Sequence, residues 1–154
     1  MTNRDVVLSA LKTQGKADAL DLRSRAPEMD GTGLIDEEEK IPVFVPNGDY
    51  SGWPRYAPVK ELVDGEYQVF TWITPVNTAH YPGFRPSVNR AECSLCHTKD
   101  PAKAKSWVDP LGTSGMYELG ECYKEADGRI FRQTYDGKNE HRATVLPERW
   151  EEVI

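Results

Sequence analysis

Two Asp-Gly pairs, Asp64-Gly65 and Asp127-Gly128, stand 63 residues apart, each between apolar runs. Asp-Gly tolerates the positive φ angles of a tight reversal, so each pair signals a two-residue hairpin turn. The segments around them align without a gap: SGWPRYAPVKELVDGEYQV from Ser51 and SGMYELGECYKEADGRIFR from Ser114. Ser51/Ser114, Gly52/Gly115 and the Asp-Gly pairs are identical, and Ala57/Gly120, Val59/Cys122 and Tyr67/Ile130 stay small or apolar. After each turn the chain reads as a strand, EYQVFTWIT and then RIFRQTY. Each copy then enters a loop with Asn (Asn77, Asn139) and Pro (Pro86, Pro147). The repeat predicts a mainly β fold of two small tandem antiparallel modules, residues 51–100 and 107–154. Modules this small bury only about 60% of their unfolded surface, so packing on each other or on a partner is expected.

The rest of the chain is a different kind of object. All four Trp, seven Tyr and four Phe lie between Phe44 and Trp150. An aromatic core therefore begins near residue 43. Residues 1–27 read as a helical segment. Thr2 and Asp5 form a capping box, Val7, Leu8 and Leu11 give a narrow apolar face, and KADALDLRSRA continues helical to Pro27. Helices this short are marginal alone, which points to docking on another subunit or partner. Residues 28–50 read as a linker. They hold an acidic run, Asp36–Glu39, expected to be a solvated face, and Pro42 and Pro46, which favour extended chain.

Composition removes several classes of function. The net charge is -6 and the 19 Lys and Arg form no run, so nucleic acid is not an expected partner. No apolar run approaches the ~20 residues of a membrane helix. The N-terminus lacks the apolar core of a secretory signal. Synthesis in a reducing cytoplasm, with free thiols, is the expectation.

The second copy carries a recognisable pattern: Tyr117, Gly120, Cys122, Asp127-Gly128, Ile130-Phe131, Asn139, Pro147, Trp150 and Val153. It resembles the small chitin-binding-type carbohydrate-binding modules. The ending LPERWEEV and the stretch SLCHTKDPAKAKSWVDPLGTSGMYELGECY are similar to those of tail and baseplate-associated proteins of phages and prophages. The resemblance covers roughly residues 43–154. Sugar-binding members usually carry adjacent aromatics after the second strand; here that place holds Gln133-Thr134-Tyr135, and the first copy has Trp72.

The resemblance makes the aromatics the leading site candidates. A flat ring can stack on the C–H face of a sugar while nearby polar groups bind its hydroxyls. Tyr135, Asp136 and Asn139 form one such loop; Trp72, Asn77 and Tyr81, with His80 beside them, form the equivalent. Trp150, Phe131 and Tyr67 read as core, and Trp107 as a staple in the connector. Cys93-Ser94-Leu95-Cys96-His97 matches the C-x-x-C-H pattern of haem attachment and is also half of a zinc site, which His80 or Cys122 would have to complete. Without a second C-x-x-C, neither a metal nor any other cofactor is expected. No acid–base pair or nucleophile–base spacing marks an enzyme.

These readings converge on a non-enzymatic virion component of a phage tail, baseplate or fibre. The N-terminal helices would hold other tail proteins, the chain would be a homo-oligomer, and the β modules would contact host cell-wall glycan. The alternative is a structural connector with no sugar site.

Overall fold

A computed structural model describes residues 15–77, 82–111 and 114–154. Residues 15–25 are helical (α1) and run into a 3-10 turn, Ala26–Glu28, containing Pro27. Proline cannot donate to the previous turn, so the helix ends there. A short helix α2 spans Gly31–Asp36; Asp30 caps it by accepting from the Gly33 N–H at 2.8 Å. Among the described residues seven strands follow: β1 Pro58–Val63, β2 Glu66–Trp72, β3 Cys93–Leu95, β4 Lys105–Ser106, β5 Cys122–Lys124, β6 Ile130–Gln133 and β7 Trp150–Val153. They form two sheets, ordered β1-β2-β3 and β4-β5-β6-β7. The fold is thus mainly β, with two tandem modules behind a short N-terminal helix. All pairs are antiparallel except the two-residue parallel contact of β4 with β5.

The two Asp-Gly turns are built differently. In the first, Val63 pairs with Glu66, Asp64 has φ 51° and Gly65 φ 83°. That is the two-residue reversal with both central residues left-handed, which matches the twist of the strands. In the second, the Glu125 N–H donates to Arg129 O and the Gly128 N–H to Glu125 O, with only Gly128 at positive φ (90°). The loop holds three residues, so the expected two-residue turn is corrected there: Asp127 instead accepts from the Arg129 N–H and pairs with its guanidinium. The matched glycines Gly52 and Gly115 share a left-handed backbone, φ 87° and 83°.

Side chains alternate across the first sheet and give it two buried faces. Val59, Phe70, Trp72, Cys93 and Leu95 point into one core with Phe44, Tyr50 and Phe84. Val69 points the other way and meets Leu22, Ala26, Leu34, Ile35 and Ile41. The described part of the N-terminal segment therefore lies on its own sheet; residues 1–14, with the Thr2–Asp5 cap and the Val7, Leu8 and Leu11 face, lie outside the described residues.

Where extended linker is expected, residues 28–50 are folded down. Leu34, Ile35, Ile41 and Phe44 are buried, and each such side chain adds roughly 1.5–3 kcal/mol relative to exposure. Gly31 makes this docking possible: a Cβ there would stand 2.2 Å from His97 O. The Lys99 N–H donates to Thr32 Oγ1 at 2.8 Å beside it. The acidic run is not simply solvated, since Asp36 pairs with Lys103 at 2.9 Å and Glu38 with Lys105. Arg25 grips both carboxylate oxygens of Glu37, at 2.7 and 2.8 Å, tying α1 to the end of α2.

The modules are knit together. The Cys122 N–H donates to Thr98 O at 2.8 Å, and Ser114 Oγ donates to Cys93 O at 3.1 Å. Gln68 donates to Ser106 O, and Lys105 Nζ to Tyr67 O. The second core is nearly all aromatic: Tyr117, Tyr123 and Trp150, with Trp107 and Phe131 against them. Trp107 stacks on Tyr117 with centroids 5.0 Å apart, so it belongs to this core.

Candidate binding surfaces

Gln133, the last residue of β6, is buried, and its side-chain amide donates to the Tyr135 and Gly137 carbonyls at 2.9 and 2.6 Å. This shapes the loop on which the sugar-site candidates sit. Tyr135 is 40% exposed. Its ring is not free, however. The Arg149 guanidinium lies 3.9 Å over the ring centroid, and a Cβ on Gly137 would come within 2.8 Å of Cε1. A cation over one face takes one of the two positions a sugar could use. Asp136 is exposed. Asn139 is 1% exposed and spent on structure. Its amide donates to His141 O, its oxygen accepts from the His141 N–H, and its backbone bonds Tyr117 in both directions.

In the first copy Trp72 is 1% exposed. It stacks on Phe84 with centroids 5.7 Å apart and rings 10° from parallel, and it meets Tyr50. The alternation of β2 puts Trp72 on the same face as Phe70, into the core. The stacking role expected of Trp72 and the hydroxyl-binding role expected of Asn139 are both corrected by this burial. Asn77 is exposed, while His80 and Tyr81 lie outside the described residues. The half-buried Trp53 and exposed Tyr56 repeat the Tyr135 pattern, with Arg23 and Arg55 over their rings at 3.9 and 4.5 Å. Trp150 is buried as expected of a core residue, and Phe131 and Tyr67 are partly buried.

The C-x-x-C-H stretch lies on and just beyond β3, where successive side chains alternate. Cys93 faces the core of Phe70 and Trp72, and Cys96 packs with the cluster of Val69 and Leu22 on the opposite face. Two thiols on opposite faces of a sheet cannot close on one zinc ion or one haem. His97 is buried, stacked on Tyr117 with centroids 3.5 Å apart, and its Nε2–H donates to Gly115 O at 2.7 Å. Burial pushes its pKa down to about 4. Among the described residues no three His, Cys, Asp or Glu gather around a metal-sized space.

A polar cleft of about 270 Å³ runs between the modules, lined by Gly31, Cys96, His97, Glu118 and Glu121. Glu121 accepts from the Glu118 N–H, and burial pushes its carboxyl up to about 7. The Cys96 thiol is likewise raised by burial, to about 12, so it stays protonated and unreactive. Neutral His97 is committed to Gly115.

The apolar surface lies elsewhere. A groove of about 620 Å³ follows the outer edge of β1, between the 43–47 and 83–88 loops. Val43, Leu62 and Val88 are 45, 57 and 54% exposed along it, over a floor of Phe44 and Phe84. Sequence reading missed it. The signal was present in KELV, where Leu62 alternates with the inward Glu61, but an exposed leucine alone carries no message. Comparison with known proteins finds no family model, no curated protein and no solved structure that matches this chain.

Proposed function

We propose that this chain is a non-catalytic connector of a phage tail or phage-derived particle, holding other tail components together without reading a glycan. The observation that carries this is the fate of the rings. Trp72 is inside the core, and Tyr135 carries Arg149 on a face. Sugar binding by stacking needs a free aromatic face; Trp72 has none, and Arg149 already holds one face of Tyr135. An apolar groove on a sheet edge is the kind of surface that marks protein contact. The tail-protein resemblance of residues 43–154 supplies the setting, and association into homo-oligomers fits many-copy particles.

The test is fractionation of lysed producer cells on a density gradient. The protein is expected to sediment with assembled particles. If it stays entirely in the soluble fraction while particles form, the connector reading is wrong.

A further inference from the structure

We propose that the groove beside β1 binds an extended, apolar peptide of a partner protein by adding it as a further strand, with a carboxylate of the peptide meeting Arg85. The proposal rests on the connector reading and names the partner's chemistry. Along β1 the backbone groups of Lys60 and Leu62 point away from β2. Those of Lys60 are taken: its N–H donates to Pro42 O at 3.0 Å and its carbonyl accepts from the Phe44 N–H at 2.7 Å. The parallel register Val43↔Lys60 would next bring the N–H of residue 46 to Leu62 O. Residue 46 is proline and has none. The Val45 N–H has meanwhile turned to Tyr50 Oη at 2.8 Å, and the Gly48 N–H to Val45 O. The chain therefore leaves the edge. The donor and acceptor of Leu62 are left without partners among the described residues.

An open donor–acceptor pair on a strand edge is a template for an extended main chain. The groove residues specify the side chains. Val43 and Leu62 flank one side of that edge, and Phe84 and Val88 stand at the other, so a strand lying there meets apolar surface on both faces. Glu61 is already held by the Ser87 N–H and hydroxyl. Arg85 is exposed on the rim and forms no salt bridge among the described residues, since Glu61, which lines the same groove, is held by Ser87. That cation selects a carboxylate.

The experiment is an amide NMR titration of the whole chain with an acetylated hexapeptide of alternating threonine and valine ending in aspartate, beside the same peptide ending in asparagine amide. Saturable shifts are expected at Leu62, Val63 and Phe84–Val88. Leu62→Pro removes the outward donor at an edge position that tolerates proline. It is expected to weaken binding about three- to tenfold, the range one hydrogen bond supports. Arg85→Glu is expected to abolish the preference for the acid peptide. Absence of saturable shifts in folded protein, or unchanged affinity in folded Leu62→Pro, overturns the proposal. If Leu62→Pro does not fold, Val88→Glu decides, and retained binding there overturns it. Self-association through these residues overturns it too. Peptide binding without particle association would instead sink the connector reading and leave the groove assignment standing.

Discussion

Glu121 and His97 line one cleft and are displaced from their ordinary values in opposite senses by the same cause. Burial disfavours the charged form of each, so the acid is held up at about 7 and the base down at about 4. The hydrogen bond from the Glu118 N–H and the charge of Lys99 oppose the rise at Glu121, while the carboxylates of Glu118 and Asp30 add to it. The consequences for stability have opposite signs. Folded Glu121 keeps a proton that the unfolded chain loses near 4.5, so its contribution is present at low pH and is lost as pH rises towards 7. Unfolded His97 takes a proton near 6.5 that the folded ring refuses, so its contribution is lost as pH falls from 6.5 towards 4. Between 4.5 and 6.5 the two slopes offset each other. Glu121→Gln, which keeps an oxygen to accept from the Glu118 N–H, unmasks His97. Its stability relative to the parent is expected to rise with pH, by on the order of 2 kcal/mol between pH 5 and 8. Urea midpoints at the two values check this, and parallel behaviour of parent and variant would contradict it.

At the scale of elements, two glycines separate turn chemistry from close packing. At Gly65 nothing lies within 4 Å of an added Cβ, but φ is 83°, so Gly65→Ala carries only the left-handed penalty of about 1–2 kcal/mol. Gly31→Ala drives a methyl into the His97 carbonyl, a backbone atom that cannot step aside. That change is expected to cost roughly 3 kcal/mol, at the upper end of overpacking, by lifting α2 off the segment that follows β3. Chemical denaturation of the two variants orders them, and equal costs would mean that α2 docks loosely. These elements also show how much a single sequence can reveal. Both hairpins were legible because Asp-Gly between apolar runs acts locally. The packing of residues 28–50 was not, since Leu34, Ile35, Ile41 and Phe44 have no shared period and are sorted between the two faces of the first sheet only by the tertiary fold. The opposed thiols of Cys93 and Cys96 were half legible: a spacing of three on a strand puts them on opposite faces, but only once the strand is known. The fates of Trp72 and Tyr135 depended on a face choice and on Arg149, which lies 14 residues away in sequence. The groove depended on Pro46 interrupting a pairing that no local pattern announces.

For the molecule as a whole, the question is whether two repeat modules behave as two units. Their connections say that they do not. His97 follows β3 of the first sheet, yet its ring covers Tyr117 of the second core. Thr98 extends the first module into Cys122 of the second, and Glu66 of β2 accepts from the Ser106 N–H of β4. The modules are therefore expected to unfold together: amide signals of β2 and β6 should vanish at the same urea concentration. Survival of one set beyond the other would contradict that coupling. Unity also bears on function, because most of the described aromatics are spent on building one body, and the exposed Tyr56 and Tyr135 each carry an arginine over the ring. The most direct measurement is binding of the chain, displayed in multivalent form, to host cell-wall polysaccharide, with Tyr135→Ala beside it. The account expects no saturable binding by either protein. Saturable binding that disappears in a folded Tyr135→Ala variant would show that Arg149 yields its place to a sugar, and would make this chain a glycan reader.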